Sequence, residues 1–218
     1  MTDLPVNQVF FDFIFEGQHM GTHALFVRLQ GCASDCANCE TPAACDNYGQ
    51  EVTVDQMLGK GAEEQPSFAM LKPHQLVAVL KDLQPVPFVV VICGGDPAYY
   101  DLLELTDQLC DAGYIVIVQT RGTIPMAIDA RCFLSVRPNQ TRVAPGVLVD
   151  ADEVIFEVRD KRQLDDLSVL LEYVDDAVTE VFLTPAFDCP EAIDLCIDAC
   201  PERGFRLSYR PDAFCCGD

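Results

Sequence analysis

The chain is short of bases. Of its 218 residues 35 are acidic and 14 basic, giving a formal net charge of -21, and just four of the bases are lysines (Lys60, Lys72, Lys81 and Lys161). A surface of that sign repels polyanions, so no nucleic acid is expected as a partner. Long apolar runs are lacking too. The longest, Val86 to Cys93, is broken by Pro87 and falls far short of the roughly 20 residues that span a bilayer. No membrane partner is therefore expected. The opening residues MTDLPVNQ have neither the basic nor the apolar region of a secretory signal, which leads us to expect a cytoplasmic protein. There is no internal repeat, low-complexity tract or evident linker, so a single domain over 1–218 is the simplest expectation. Histidine is scarce, at three residues. His74 is read as a surface residue opening a helix, and His19 and His23 as loop residues flanking Gly21.

Against these absences stand a hydrophobic fraction of 50% and twelve cysteines. The apolar content suffices for a buried core. Its pattern alternates between strand and helix. Residues 24–29 read as a first strand, and 88–92 as a β-branched run typical of a buried parallel strand. Further strands are expected at 114–118, 132–136, 154–158 and 180–183, with a short last one near 205–209. Pro73 opens a helix with Leu76, Val77, Leu80 and Leu83 on one face. Another helix spans 101–112, with Leu102, Leu105 and Leu109 aligned and Gly113 as its stop. A third spans about 162–173, and a fourth runs over 191–200 and is ended by Pro201 and Gly204. Residues 46–72 carry no clear period and read as a long loop with at most one short helix. About six strands alternating with helices imply an α/β fold with a mostly parallel sheet. In such sheets ligands sit beyond the carboxyl ends of the strands.

Cys32, Cys36 and Cys39 follow the first strand directly, in a polar loop over 31–45 that also holds Ser34, Asp35 and Asn38. Three closely spaced thiols can converge on one metal centre. Structural zinc takes four ligands, and Cys45 would be the fourth. An iron–sulfur cubane held by three thiolates keeps one iron open for a substrate or cofactor. Plain packing is the third reading. Beyond the 88–92 strand comes Cys93-Gly94-Gly95-Asp96-Pro97, which alone would read as a turn. Cys110 and Cys132 are most simply core. Cys196 and Cys200 read as core residues on a helix, with a second cluster shared with Cys189, Cys215 and Cys216 as the alternative.

The cysteine spacing together with the Gly-Gly-acid-Pro segment resembles the radical S-adenosylmethionine (SAM) superfamily. The resemblance narrows to the 7-carboxy-7-deazaguanine synthases of queuosine and deazapurine biosynthesis. It is carried by Glu16-Gly17, Phe26-Val27-Arg28-Leu29-Gln30-Gly31-Cys32, Cys39-Glu40-Thr41, the 93–97 segment, Ser135-Val136-Arg137, Thr184-Pro185-Ala186-Phe187 and Arg206-Leu207-Ser208. It covers nearly the whole chain.

That family implies an abbreviated radical SAM barrel and a homodimer. It also implies a lyase that converts 6-carboxytetrahydropterin to 7-carboxy-7-deazaguanine and ammonia. The implied cofactors are a 4Fe-4S cluster on Cys32, Cys36 and Cys39, SAM, and magnesium at Thr41. Asn38, Glu40, Gly94, Gly95, Asp96, Ser135, Arg137, Thr184 and Phe187 would contact SAM. Arg28 and Glu16 would face the pterin-like substrate, with Ile14, Phe15 and Cys93 standing where the family has polar groups or glycine. An electron donor such as flavodoxin or ferredoxin is the implied protein partner. The competing classes are a related radical SAM enzyme acting on another small molecule, a glycyl-radical activase, and an iron–sulfur electron relay.

Overall fold

The computed structural model describes residues 3–32, 39, 41–45, 49–59, 66–86, 88–138, 143–174, 178–186 and 188–209. Cys36, Asn38, Glu40, Phe187, Cys215 and Cys216 lie outside them. The chain divides into two compact units, residues 1–12, 23–120 and 126–133 in the first and 13–22, 121–125 and 134–218 in the second.

The first unit holds strands β1 (Leu4–Phe13), β2 (His23–Leu29), β3 (Gln50–Glu51), β4 (Ser67–Leu71), β5 (Val89–Gly94) and β6 (Ile115–Thr120), in the order β6-β5-β2-β1-β4-β3. Its helices are α1 (Pro42–Cys45), α2 (Val54–Leu58), α3 (Pro73–Leu83) and α4 (Leu103–Asp111). β2, β5 and β6 pair in parallel, with Val27 opposite Ile92 and Val91 opposite Ile117. This is the centre of the core: Leu25, Val27, Leu29, Val90, Val91, Ile92 and Val118 are fully buried. Such continuous apolar strands suit a sheet covered on both faces. Pro73 supplies the first position of α3, and the Gln75 side chain accepts from the Lys72 N–H at 2.9 Å. Leu76, Val77 and Leu80 are buried as expected, whereas Leu83, in the last turn, is 39% exposed. Gly113 ends α4 at φ 85°, a conformation that glycine adopts without steric cost.

The second unit holds β7 (Phe133–Val136), α5 (Pro145–Val149), β8 (Glu153–Val158), α6 (Lys161–Leu170), β9 (Glu180–Pro185), α7 (Ala192–Arg203) and β10 (Arg206–Leu207). Its strands run β10-β9-β8-β7, all parallel.

The α/β class with a largely parallel sheet stands, but among the described residues there are ten strands rather than about six. β3 and β10 have two residues each and carry no readable period. β1 is obscured by Asn7 and Gln8 in mid-strand, both of which are buried polar groups. The expected long loop over 46–72 is corrected as well. It contains β3, a capped α2 and β4, which pairs antiparallel with β1. α7 also runs through Pro201 to Arg203 before Gly204 caps it at φ 72°. A proline so near the helix end removes one hydrogen bond without stopping the helix. Among the described residues no helix is long and apolar enough to cross a membrane.

Candidate functional site

In the first unit the site is built where β2 and β5 end. Gln30 is 2% exposed. Its side chain accepts from Asn7 Nδ2 at 2.6 Å and donates to the Ala43 carbonyl at 2.9 Å. The Gly31 N–H donates to the Ala44 carbonyl at 2.6 Å. These bonds tie the start of the cysteine loop to α1, where that loop returns. The Tyr100 hydroxyl donates to the Gln30 carbonyl.

Gly94 and Gly95 then press against the same backbone. The Gly95 N–H donates to the Leu29 carbonyl, and the Asp96 N–H donates to the Gly31 carbonyl, each at 3.1 Å. A Cβ on Gly94 would lie 2.3 Å from the Leu29 oxygen, and one on Gly95 2.1 Å from the Gly31 oxygen. Paired glycines are required here because two backbones meet, a reason that the bare segment did not disclose. Asp96 is 1% exposed. One of its oxygens accepts from the Thr120 hydroxyl at 2.6 Å and from the Ala98 N–H at 3.2 Å. The Thr41 hydroxyl donates to the Gly94 carbonyl at 3.1 Å.

Cys32, Cys39 and Cys45 are all part-exposed. The sulfurs of Cys39 and Cys45 lie 3.2 Å apart. Burial pushes the Cys45 thiol up to about 12, and the neighbouring Cys39 and Cys32 add to the shift. Part-exposed thiols suit an iron–sulfur cluster by their donor chemistry. Among the described residues no group of three or more potential ligands stands in metal-holding geometry.

Arg28 and Cys93 are register partners on β2 and β5. Burial pushes the Cys93 thiol up to about 11, with the Arg28 guanidinium opposing. Arg28 Nη1 donates to Gln8 Oε1 at 2.9 Å, and the guanidinium carbon sits 4.7 Å over the Phe10 ring. Its Nε is buried and has no hydrogen-bond partner. A guanidinium held at one edge with a donor to spare can receive a carboxylate.

The second unit carries the other expected residues. Glu16 Oε1 meets Arg137 Nη1 at 3.0 Å, and Arg137 Nη2 reaches Glu157 at 3.4 Å. Ser135 is opposite Glu153, and Glu157 opposite Thr184. By strand alternation Ser135, Glu153, Glu157 and Thr184 share one face of these strands. Thr184 is 1% exposed and its hydroxyl oxygen has no hydrogen-bond partner, so a polar ligand group could satisfy it. Ile14 is 4% exposed and its backbone closes the turn, with N–H to the Thr22 carbonyl at 2.9 Å. Phe15 is half-buried beside it. The expected site residues thus fall in two groups. Cys32, Cys39, Thr41, Cys93, Gly94, Gly95, Asp96 and Arg28 belong to the first unit. Ile14, Phe15, Glu16, Ser135, Arg137 and Thr184 belong to the second.

Three relatives bear on what this arrangement does. Over 215 residues, 94% of this chain and 95% of the relative, it is 32% identical to the 7-carboxy-7-deazaguanine synthase of Escherichia coli K12. The chain belongs to the 7-carboxy-7-deazaguanine synthase family. It is 29% identical to the synthase of Buchnera aphidicola, with 94% and 95% of the two chains covered. With that of Halobacterium salinarum it shares 29% identity over 86% of this chain and 67% of the relative. The fold is similar to the crystal structure of QueE from Escherichia coli, at a TM-score of 0.88 and 31% identity over 95% and 93% of the two chains. No family model matches the chain. The chain is an enzyme of the synthase type.

Sequence reasoning assigned no role to Gln8, Gln30, Thr120 or Glu153. The alternation Glu153-Val154-Ile155-Phe156-Glu157 was the available signal for the last, since it puts two carboxylates on one face of a buried strand. Cys196 and Cys200 are buried in α7, the former with its thiol pushed up to about 12 by burial. Cys110 and Cys132 face each other at 3.8 Å. Both pairs suit the packing reading.

Proposed function

We propose that the protein converts 6-carboxytetrahydropterin to 7-carboxy-7-deazaguanine and ammonia. The observation that carries this reading is a family relationship running over 94% of the chain. Arg28 supports it, because its guanidinium keeps a buried donor available for the substrate's carboxylate.

The residues fit a 4Fe-4S cluster and SAM. Cys32 and Cys39, with Cys36, would hold the cluster, and Thr184, whose buried hydroxyl lacks a partner, would join Ser135 and Arg137 at SAM. A reduced cluster with SAM, when bound, supplies the radical that takes a hydrogen atom from the substrate. The chain's own contribution is placement. Gln30, Gly31 and Gly95 fix the base of the cysteine loop. Arg28 orients the substrate carboxylate, braced by Gln8 and Phe10. Glu16, held by Arg137, presents an acceptor to the substrate's N–H groups. Thr41 would contribute a hydroxyl oxygen to magnesium. A homodimer and an electron donor of the flavodoxin or ferredoxin kind complete the reading, in the cytoplasm.

The test is an anaerobic assay of reconstituted protein with SAM, reductant, magnesium and 6-carboxytetrahydropterin, followed by mass spectrometry. The expected product is 7-carboxy-7-deazaguanine. Deoxyadenosine without that product would assign the chain to a different substrate. Neither compound, from protein with a full cluster, would favour an electron relay.

A further inference from the structure

Glu153 opens β8 and is 3% exposed. Its oxygens serve two different segments. Oε1 accepts from the Ser135 hydroxyl at 2.6 Å, and Oε2 accepts from the Gln18 backbone N–H at 2.7 Å. Gly17, at φ 76°, lies so close that a Cβ there would meet both carboxylate oxygens at 2.6 Å. The Gly17 N–H donates to Ser208 Oγ at 3.1 Å. The preceding residue, Glu16, is the one that pairs with Arg137. One buried carboxylate thus fastens the turn that carries Glu16 to the strand that leads into Arg137.

We propose that Glu153 is a positioning residue for substrate recognition, fixing the 16–18 turn so that Glu16 is presented in a single orientation. This rests on the reading of Glu16 as a substrate-facing residue. The location is costly for a carboxylate. Burial raises its pKa, and the carboxylates of Glu16 and Glu180 repel it, against the help of Gln18 and Ser135. A carboxylate is nevertheless the side chain of this size that can accept at both ends. Glutamine can accept from the Gln18 N–H with its carbonyl and turn its amino group to the Ser135 oxygen. Methionine fills the same space and accepts neither bond.

The experiment compares Glu153→Met and Glu153→Gln with the wild type. Amide hydrogen exchange needs no substrate. In Glu153→Met, protection at Gly17 and Gln18 should drop by about tenfold or more, as expected for loss of a buried hydrogen bond, while β8 and β9 stay protected. In steady-state kinetics Glu153→Met should raise KM for the pterin by about tenfold and leave kcat and iron content within about threefold. Glu153→Gln should restore both the protection and KM. Unchanged exchange at Gly17 and Gln18 would overturn the proposal. So would a Met variant that unfolds or loses protection throughout the second unit, since Glu153 would then be a general packing element. If wild-type enzyme does not turn over the pterin, the functional reading fails and the exchange arm still decides the role of Glu153.

Discussion

Thr120 donates its hydroxyl hydrogen to Asp96 at 2.6 Å, joining the end of β6 to the Gly-Gly-Asp-Pro segment after β5. Both residues are almost fully buried, at 4% and 1% exposure. Removing the hydroxyl leaves a buried carboxylate oxygen with less compensation. Thr120→Val should therefore cost about 1–3 kcal/mol of stability and weaken SAM binding. Denaturant unfolding and calorimetric titration of the reconstituted enzyme check both.

Gly95 leaves no room for a side chain, because the Gly31 carbonyl oxygen occupies the place of a Cβ at 2.1 Å. Gly95→Ala must push the Gly94–Asp96 backbone away from the base of the cysteine loop. Such overpacking costs about 1–3 kcal/mol or more. We expect a lower melting temperature together with a reduced iron content per chain after anaerobic reconstitution. Full iron loading at an unchanged melting temperature would contradict this geometry.

Arg28 is braced by Gln8 and Phe10 and still keeps Nε available. Arg28→Ala should lower kcat/KM for the pterin by roughly 10- to 100-fold or more, the worth of a charge-assisted hydrogen bond of about 1.5–3 kcal/mol. SAM cleavage without substrate should persist. Arg28→Lys should recover little, since an ammonium lacks the fork that matches a carboxylate. Loss of the cluster in Arg28→Ala would show that its role is structural.

How much of this was legible beforehand depended on sequence distance. The β-branched run over 88–92 is a local signal, and it led to β5. β1 escaped because Asn7 and Gln8 interrupt its apolar pattern, and their reasons for being there lie elsewhere: Asn7 meets Gln30, and Gln8 meets Arg28. Glu153 escaped because its partner Gln18 is 135 residues away. The Gly-Gly-Asp-Pro segment alone read as a turn and did not disclose what approaches it, which is the backbone of β2 and the start of the cysteine loop.

Cys45 brings a fourth sulfur to the cluster loop, 3.2 Å from Cys39. A zinc knuckle would need it, whereas a three-cysteine cluster with SAM on the fourth iron would not. Cys45→Ala should keep about four irons per chain and the usual cluster absorption, as a cubane with three protein thiolates does. Metal analysis after anaerobic purification decides between the two. Stoichiometric zinc in the wild type that disappears in Cys45→Ala would establish the knuckle instead.

Glu153 also leaves a signature in the dependence of stability on pH. Burial raises its pKa above the ordinary value of 4.5, so the folded chain holds this proton at pH values where the unfolded chain has released it. Stability from this group is full below the unfolded value and declines as pH rises through the folded one. Glutamine does not titrate, so Glu153→Gln lacks that decline. The melting temperature of Glu153→Gln relative to wild type should therefore increase as the pH is raised from about 4 to about 7. A difference that is flat with pH, or that shrinks, would mean that the Glu153 carboxylate is charged in the folded enzyme at no cost, contrary to its burial beside Glu16 and Glu180.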